Sequence, residues 1–117
     1  FHDSSTAYQG YGRGLDIDSI RGVHSLATHG IEPDLTFFID IPVEESFRRR
    51  SEQATEIDRM EAANATFFEN IRTGYRKIAA EAPSRFIIID GLRPIEHIAD
   101  LIWTAVSSHR VSRQEDE

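Results

Sequence analysis

Residues 35–41, Leu-Thr-Phe-Phe-Ile-Asp-Ile, and residues 86–90, Phe-Ile-Ile-Ile-Asp, decide the fold. Both runs are short, rich in aromatic and β-branched side chains, and apolar at successive positions. A strand with one wet face alternates apolar with polar, whereas a run apolar on both faces suits a parallel sheet covered on both sides. Helical patterns lie before, between and after the two runs. The spacing therefore predicts an α/β fold, a parallel sheet with flanking helices. An aspartate stands at or next to the end of each run, Asp40 before Ile41 in the first and Asp90 closing the second. In open parallel sheets ligands bind beyond the carboxyl ends of the strands, although an aspartate there equally serves to cap the next helix.

The connection between the runs is longer than the ~10–12 residues a simple crossover needs. It begins with VEESFRRRSEQ, a helix in which Glu44 and Arg48, and Glu45 and Arg49, stand at supporting spacing. A polar stretch, SEQATEI, follows. Met60, Phe67, Phe68, Ile71, Tyr75, Ile78 and Ala79 then mark a long helix that ends before Pro83. A helix, a polar bridge and a helix inserted into a crossover have the shape of a mobile lid, here about residues 48–58. An ordinary two-helix excursion has the same pattern.

Upstream, Ile17, Ile20, Val23, Leu26 and Ala27 recur at helical spacing. Asp16 or Asp18 caps that helix, Gly30 stands where a left-handed cap belongs, and Pro33 blocks continuation. The opening FHDSSTAYQGYGRG, with glycines at 10, 12 and 14, reads as an ordered loop. Downstream, Pro94 stands at the first position of a helix whose buried stripe is Ile95, Ile98, Ala99, Ile102, Ala105 and Val106. Residues 1–109 form one domain in this reading, and 110–117 a frayed polar tail.

The 117 residues contain no cysteine, which removes disulfides, cysteine zinc sites and thiol nucleophiles. The five histidines lack the paired spacing of a zinc helix, and no G-x-S-x-G is present. No apolar run approaches the ~18 residues of a membrane span, so no membrane partner and a cytoplasmic location are expected. The net charge of −7 argues against binding nucleic acid through the overall field. Lys77 is the only lysine, and six of the 12 arginines fall between Arg48 and Arg76. Arginine forks match phosphate oxygens in pairs, but a solvated, salt-bridged helix face would show the same run.

Taken together, SSTAYQGYGRGL, PDLTFFID, DRME at 58–61, FFENIRTGYRKIA and FIIIDG resemble thymidylate kinase along nearly the whole chain. The resemblance implies a P-loop kinase-like fold of the nucleoside monophosphate kinase type, with a helical lid insertion. It implies ATP-dependent phosphorylation of deoxythymidine monophosphate, with Mg²⁺ and a homodimer. Ser5 and Gln9 would meet the thymine edge, Tyr8 would lie against the ring or sugar, and Tyr75 matches a family tyrosine near the sugar. Tyr75 reads equally as core. Gly91, Leu92 and Arg93 follow the last strand where the family contacts adenine. Family lids carry R-x-R-x-R; here Arg49 matches the first place, while Ser51 and Gln53 fill the others. Arg49 and Arg59 are the candidate catalytic arginines. GYGRG is not a phosphate loop, and Phe1 matches the third residue of the family's Asp-Arg-aromatic motif. The expectation is a C-terminal portion of such an enzyme, inactive alone and working within a longer polypeptide. A non-catalytic nucleotide-binding or assembly domain, or a related kinase with another base preference, are the alternatives.

Overall fold

A computed structural model describes residues 2–51 and 65–115. Two strands, β1 (Thr36–Asp40) and β2 (Phe86–Asp90), pair in parallel from Thr36 opposite Phe86 to Asp40 opposite Asp90. The predicted parallel pairing is thus present, and both terminal aspartates lie side by side at the carboxyl edge. Two helices fall within the crossover, α3 (Val43–Ser51) and α4 (Ala65–Glu81). The middle of the expected lid and Arg59 lie outside the described residues.

Alternate positions share a face, so Phe38 and Asp40 look the same way as Phe86. Helix α4 covers that face. Its Ile71, Ile78 and Ala79 form the buried core with Phe86 and Ala7, and Phe38, Phe67, Phe68 and Tyr75 pack around them. Burial on both faces, expected from the apolar runs, does not hold throughout. Ile89 is buried, but Ile39 and Ile88 are 47% and 53% exposed. Coverage is therefore partial on both faces, because Ile88 shares the face of Phe86 and Phe38 while Ile39 and Ile89 lie on the other.

The opening segment is helical rather than a loop. Helix α1 (His2–Ser5) runs directly into a π-helix, π1 (Thr6–Gly12). The wide turns are visible at its end, where Arg13 N–H donates to the Tyr8 carbonyl at 3.0 Å, five residues back. Of the three glycines read as turn signals, only Gly14 has positive φ, at 77°. Gly12 instead permits close approach, since a Cβ there would lie 2.8 Å from the Phe67 ring. Gly74 on α4 does the same for Tyr11, with a Cβ only 2.6 Å away. These glycines let π1 settle directly on α4.

Helix α2 (Ile17–Ala27) starts and stops where its sequence says. Asp16 accepts the Ser19 N–H at 3.1 Å and its hydroxyl at 2.6 Å, bonds that hold the carboxyl below its usual pKa. Gly30, at φ 75°, returns its N–H to the Ser25 carbonyl. The predicted stripe is only half covered: Ile17 and Ile20 meet π1 at Gly10, whereas Val23 and Leu26 are exposed. Helix α5 (Ile95–Glu115) begins one residue after Pro94, whose carbonyl accepts from His97 and Ile98. Ile95, expected in its buried stripe, is exposed, and the helix continues through residues 110–115 of the expected frayed tail. No described helix is long and apolar enough to cross a membrane.

Candidate functional site

The carboxyl edge of the sheet gathers charge. Asp40 accepts Arg72 Nε at 2.8 Å and Nη2 at 3.4 Å, and Arg76 Nε at 3.1 Å and Nη2 at 2.7 Å. Burial alone would push the Asp40 pKa up. The hydrogen bonds from Arg72 and then Arg76 outweigh it, and the carboxyl stays ionised below its ordinary value. Asp40 is therefore neither a helix cap nor a free base; it anchors two arginines one turn apart on α4. Arg72 and Arg76 were missed as site candidates, although their i,i+4 spacing within FFENIRTGYRKIA was a usable signal. Asp90 does the local job, accepting the Leu92 N–H at 3.0 Å.

Gly91 N–H donates to the Asp40 carbonyl at 2.8 Å, so the turn after β2 closes against the end of β1. A Cβ at Gly91 would strike Ile41, which explains glycine there. Arg49 reaches the same turn: its Nη2 donates to the Gly91 carbonyl at 3.3 Å, and its Nε to Glu45 at 3.0 Å. Glu45 also takes both ends of the Arg48 fork, at 2.9 and 2.6 Å. The hydrogen bonds from Arg48 and then Arg49 hold the Glu45 pKa at about 2. Two groups of predicted residues, Arg49 and the 91–93 turn, are brought together. Leu92 is exposed, and Arg93 points along α5 toward His97 at 3.3 Å.

The other predicted group lies along α4. Tyr8 is partly exposed and meets Phe67 edge-on, with centroids 6.1 Å apart. Ser5 and Gln9 are half-buried in the same helical run, and Arg13 lies over the Phe67 ring at 5.6 Å. Tyr75 stacks on Phe38 at 4.9 Å and donates its hydroxyl to Ser4 Oγ at 2.8 Å. Half-burial pushes the Tyr75 pKa up, and the bond to Ser4 opposes part of that. One residue earlier, Asp3 is buried and gripped by Arg85 at 2.7 and 3.2 Å, while Arg85 also donates to Thr36 at 2.8 Å. Both groups thus share one scaffold: Phe38 and Asp40 on one face of β1, with Tyr75, Arg72 and Arg76 of α4 upon them.

A cavity of about 410 Å³ lies elsewhere, lined by Asp3, Arg21, His24, Glu81 and Arg85 among others, and contains none of the predicted site residues. It opens near the start of the strands, away from Asp40 and Gly91. No group of three or more potential metal ligands occurs among the described residues. With Asp40 committed to two arginines, those residues do not fit a resident metal ion.

A family model described as thymidylate kinase matches residues 1–102. The chain belongs to the thymidylate kinase family. It is 45% identical over 109 residues to a thymidylate kinase of Sulfurihydrogenibium sp. (strain YO3AOP1), covering 93% of this chain and 52% of that protein. It is 38% identical over 119 residues to a thymidylate kinase of Chlorobaculum parvum, covering 95% and 55% respectively. A thymidylate kinase of Thermoanaerobacter sp. (strain X514) is 45% identical over 95 residues, covering 81% and 46%. The chain spans about half the length of the curated relatives it matches. Membership in this family implies the P-loop kinase fold, and the parallel strands with their helices are consistent with it.

Proposed function

We propose that this chain serves the transfer of a phosphoryl group from ATP to deoxythymidine monophosphate, yielding the diphosphate. The observation that carries the reading is the shared scaffold: the Ser5–Gln9 segment and the arginine-rich carboxyl edge are both mounted on α4 and β1. Family membership supplies the chemistry and disfavours a purely non-catalytic module.

In this reading Ser5 and Gln9 offer hydroxyl and amide groups to the neutral edge of thymine, and Tyr8 offers a flat ring. Gly91, Leu92 and Arg93 receive adenine, mostly through backbone. Arg49, tethered at Gly91, stands on the donor side as the arginine that meets developing phosphate charge, with Arg59 as the second candidate. Phosphoryl transfer needs little covalent help from protein; positioning and charge stabilisation do most of it. Mg²⁺ enters with ATP in this proposal and is not assigned to side chains described here. A homodimer and a cytoplasmic location complete the proposal.

The test is a coupled assay on protein expressed from its complete coding sequence, with ATP and the monophosphates of thymidine, deoxyuridine and cytidine. Preferred turnover of the thymidine compound is expected. Preference for another base would transfer the reading to a related nucleotide kinase, and light scattering reads the oligomeric state.

A further inference from the structure

Three consecutive residues of the opening helix have different assignments. Asp3 is held by Arg85, Ser4 receives the Tyr75 hydroxyl, and Ser5 is the first of the proposed base-reading residues. Arg85 directly precedes β2 and Tyr75 lies on α4, so both anchors come from the sheet and its covering helix. The Tyr75 ring is already stacked on Phe38, and its hydroxyl hydrogen is committed to Ser4. A tyrosine so engaged has no donor left for a nucleotide. The segment it grips continues into π1, a wide helix of a rare kind, packed on α4 through Gly12 and Gly74.

We infer that Tyr75 is a positioning residue: through Ser4 Oγ it sets the rotation of the α1–π1 run, and so the aim of Ser5, Tyr8 and Gln9. Side chains radiate from a helix axis, so a small rotation of this run turns those three side chains off the base. Asp3 with Arg85 holds the run in place, buried and resistant to loss. Tyr75 with Ser4 is the finer control, because Ser4 is exposed and water can replace its partner at little cost in stability. This inference rests on the proposed base-reading role of the segment.

The experiment compares Tyr75→Phe, Ser4→Ala and the double variant in the full-length protein. Tyr75→Phe keeps the ring on Phe38 and removes only the hydroxyl. Each single variant is expected to raise KM for deoxythymidine monophosphate about 3- to 10-fold, with kcat and KM for ATP changing less than about twofold. Preference for thymidine over cytidine monophosphate falls in step. The double variant should match the singles, because one bond is lost in all three. Unchanged KM in Tyr75→Phe, or effects that multiply in the double variant, would overturn the inference. Hydrogen exchange across residues 2–12, without substrate, gives an independent reading: faster exchange in Tyr75→Phe supports the anchor, and identical exchange sinks it. A wild-type protein that leaves deoxythymidine monophosphate untouched would defeat the proposed function, while exchange still decides the anchor.

Discussion

Asp40 at the end of β1 and Arg72 on α4 form a two-point ion pair across 32 positions of sequence, with Nε to Oδ1 at 2.8 Å and Nη2 to Oδ2 at 3.4 Å. The Asp40 side chain is only 10% exposed, so the pair operates where water screens poorly. It ties the helix that carries Tyr75 to the strand that leads into α3.

Removing Arg72 should therefore cost more than removing its neighbour. Arg72→Ala is expected to destabilise the protein by about 1–3 kcal/mol, because Asp40 keeps only Arg76 for company. Arg76 is 53% exposed, and Arg76→Ala should cost under ~1 kcal/mol. Urea denaturation of the two variants measures the difference. Equal midpoints would mean that Asp40 is satisfied by either arginine.

Acid should loosen α3 through Glu45. Its folded pKa lies at about 2, below the ordinary 4.5, so its contribution is complete above the unfolded value. That contribution fades as pH falls from ~4.5 toward ~2. Both its partners are exposed on the surface, so the effect should shrink in high salt. Comparing the melting temperature at pH 6 and pH 3 checks this. Glu45→Gln should lose less than wild type over that interval, and an identical loss would assign acid sensitivity to other carboxylates.

Gly74 should tolerate no side chain. A Cβ there would press on Tyr11 at 2.6 Å, so Gly74→Ala must move π1 away from α4. Overpacking of this kind costs ~1–3 kcal/mol. Thermal melts should show the loss, and combining Gly74→Ala with Tyr11→Ala should recover part of it. A fully additive double variant would show that the two positions do not collide.

Arg49 separates a catalytic role from a structural one. If its guanidinium meets charge building on the transferred group, Arg49→Ala should lower kcat by about 10- to 10³-fold, more than it raises KM. If it serves only Glu45 and the Gly91 carbonyl, kcat should stay within about twofold, with a stability change of a few tenths of a kcal/mol. Steady-state kinetics on full-length protein decides, and the second outcome would move attention to Arg59.

Local chemistry was legible wherever one residue decides. The aromatic and β-branched runs announce β1 and β2, Asp16 and Gly30 bracket α2, and Pro83 follows the end of α4. Those signals act through backbone angles and hydrogen bonds within a few residues, so no tertiary knowledge is needed to read them. The tertiary structure alone decided what depends on neighbours distant in the chain. Glycines 10 and 12 looked like turn residues but serve as contact points for Ile17 and Phe67 within π1. Asp40 could have capped a helix until Arg72 and Arg76 were brought to it. Tyr75 belonged equally to core and site by spacing, and its hydroxyl went to Ser4, 71 positions away. Periodicity tells which face of an element is apolar, but not what covers it: Val23, Leu26 and Ile88 are as apolar as Ile71 and yet stand exposed. Burial is a property of pairs of elements, and only the packed chain contains the pairs.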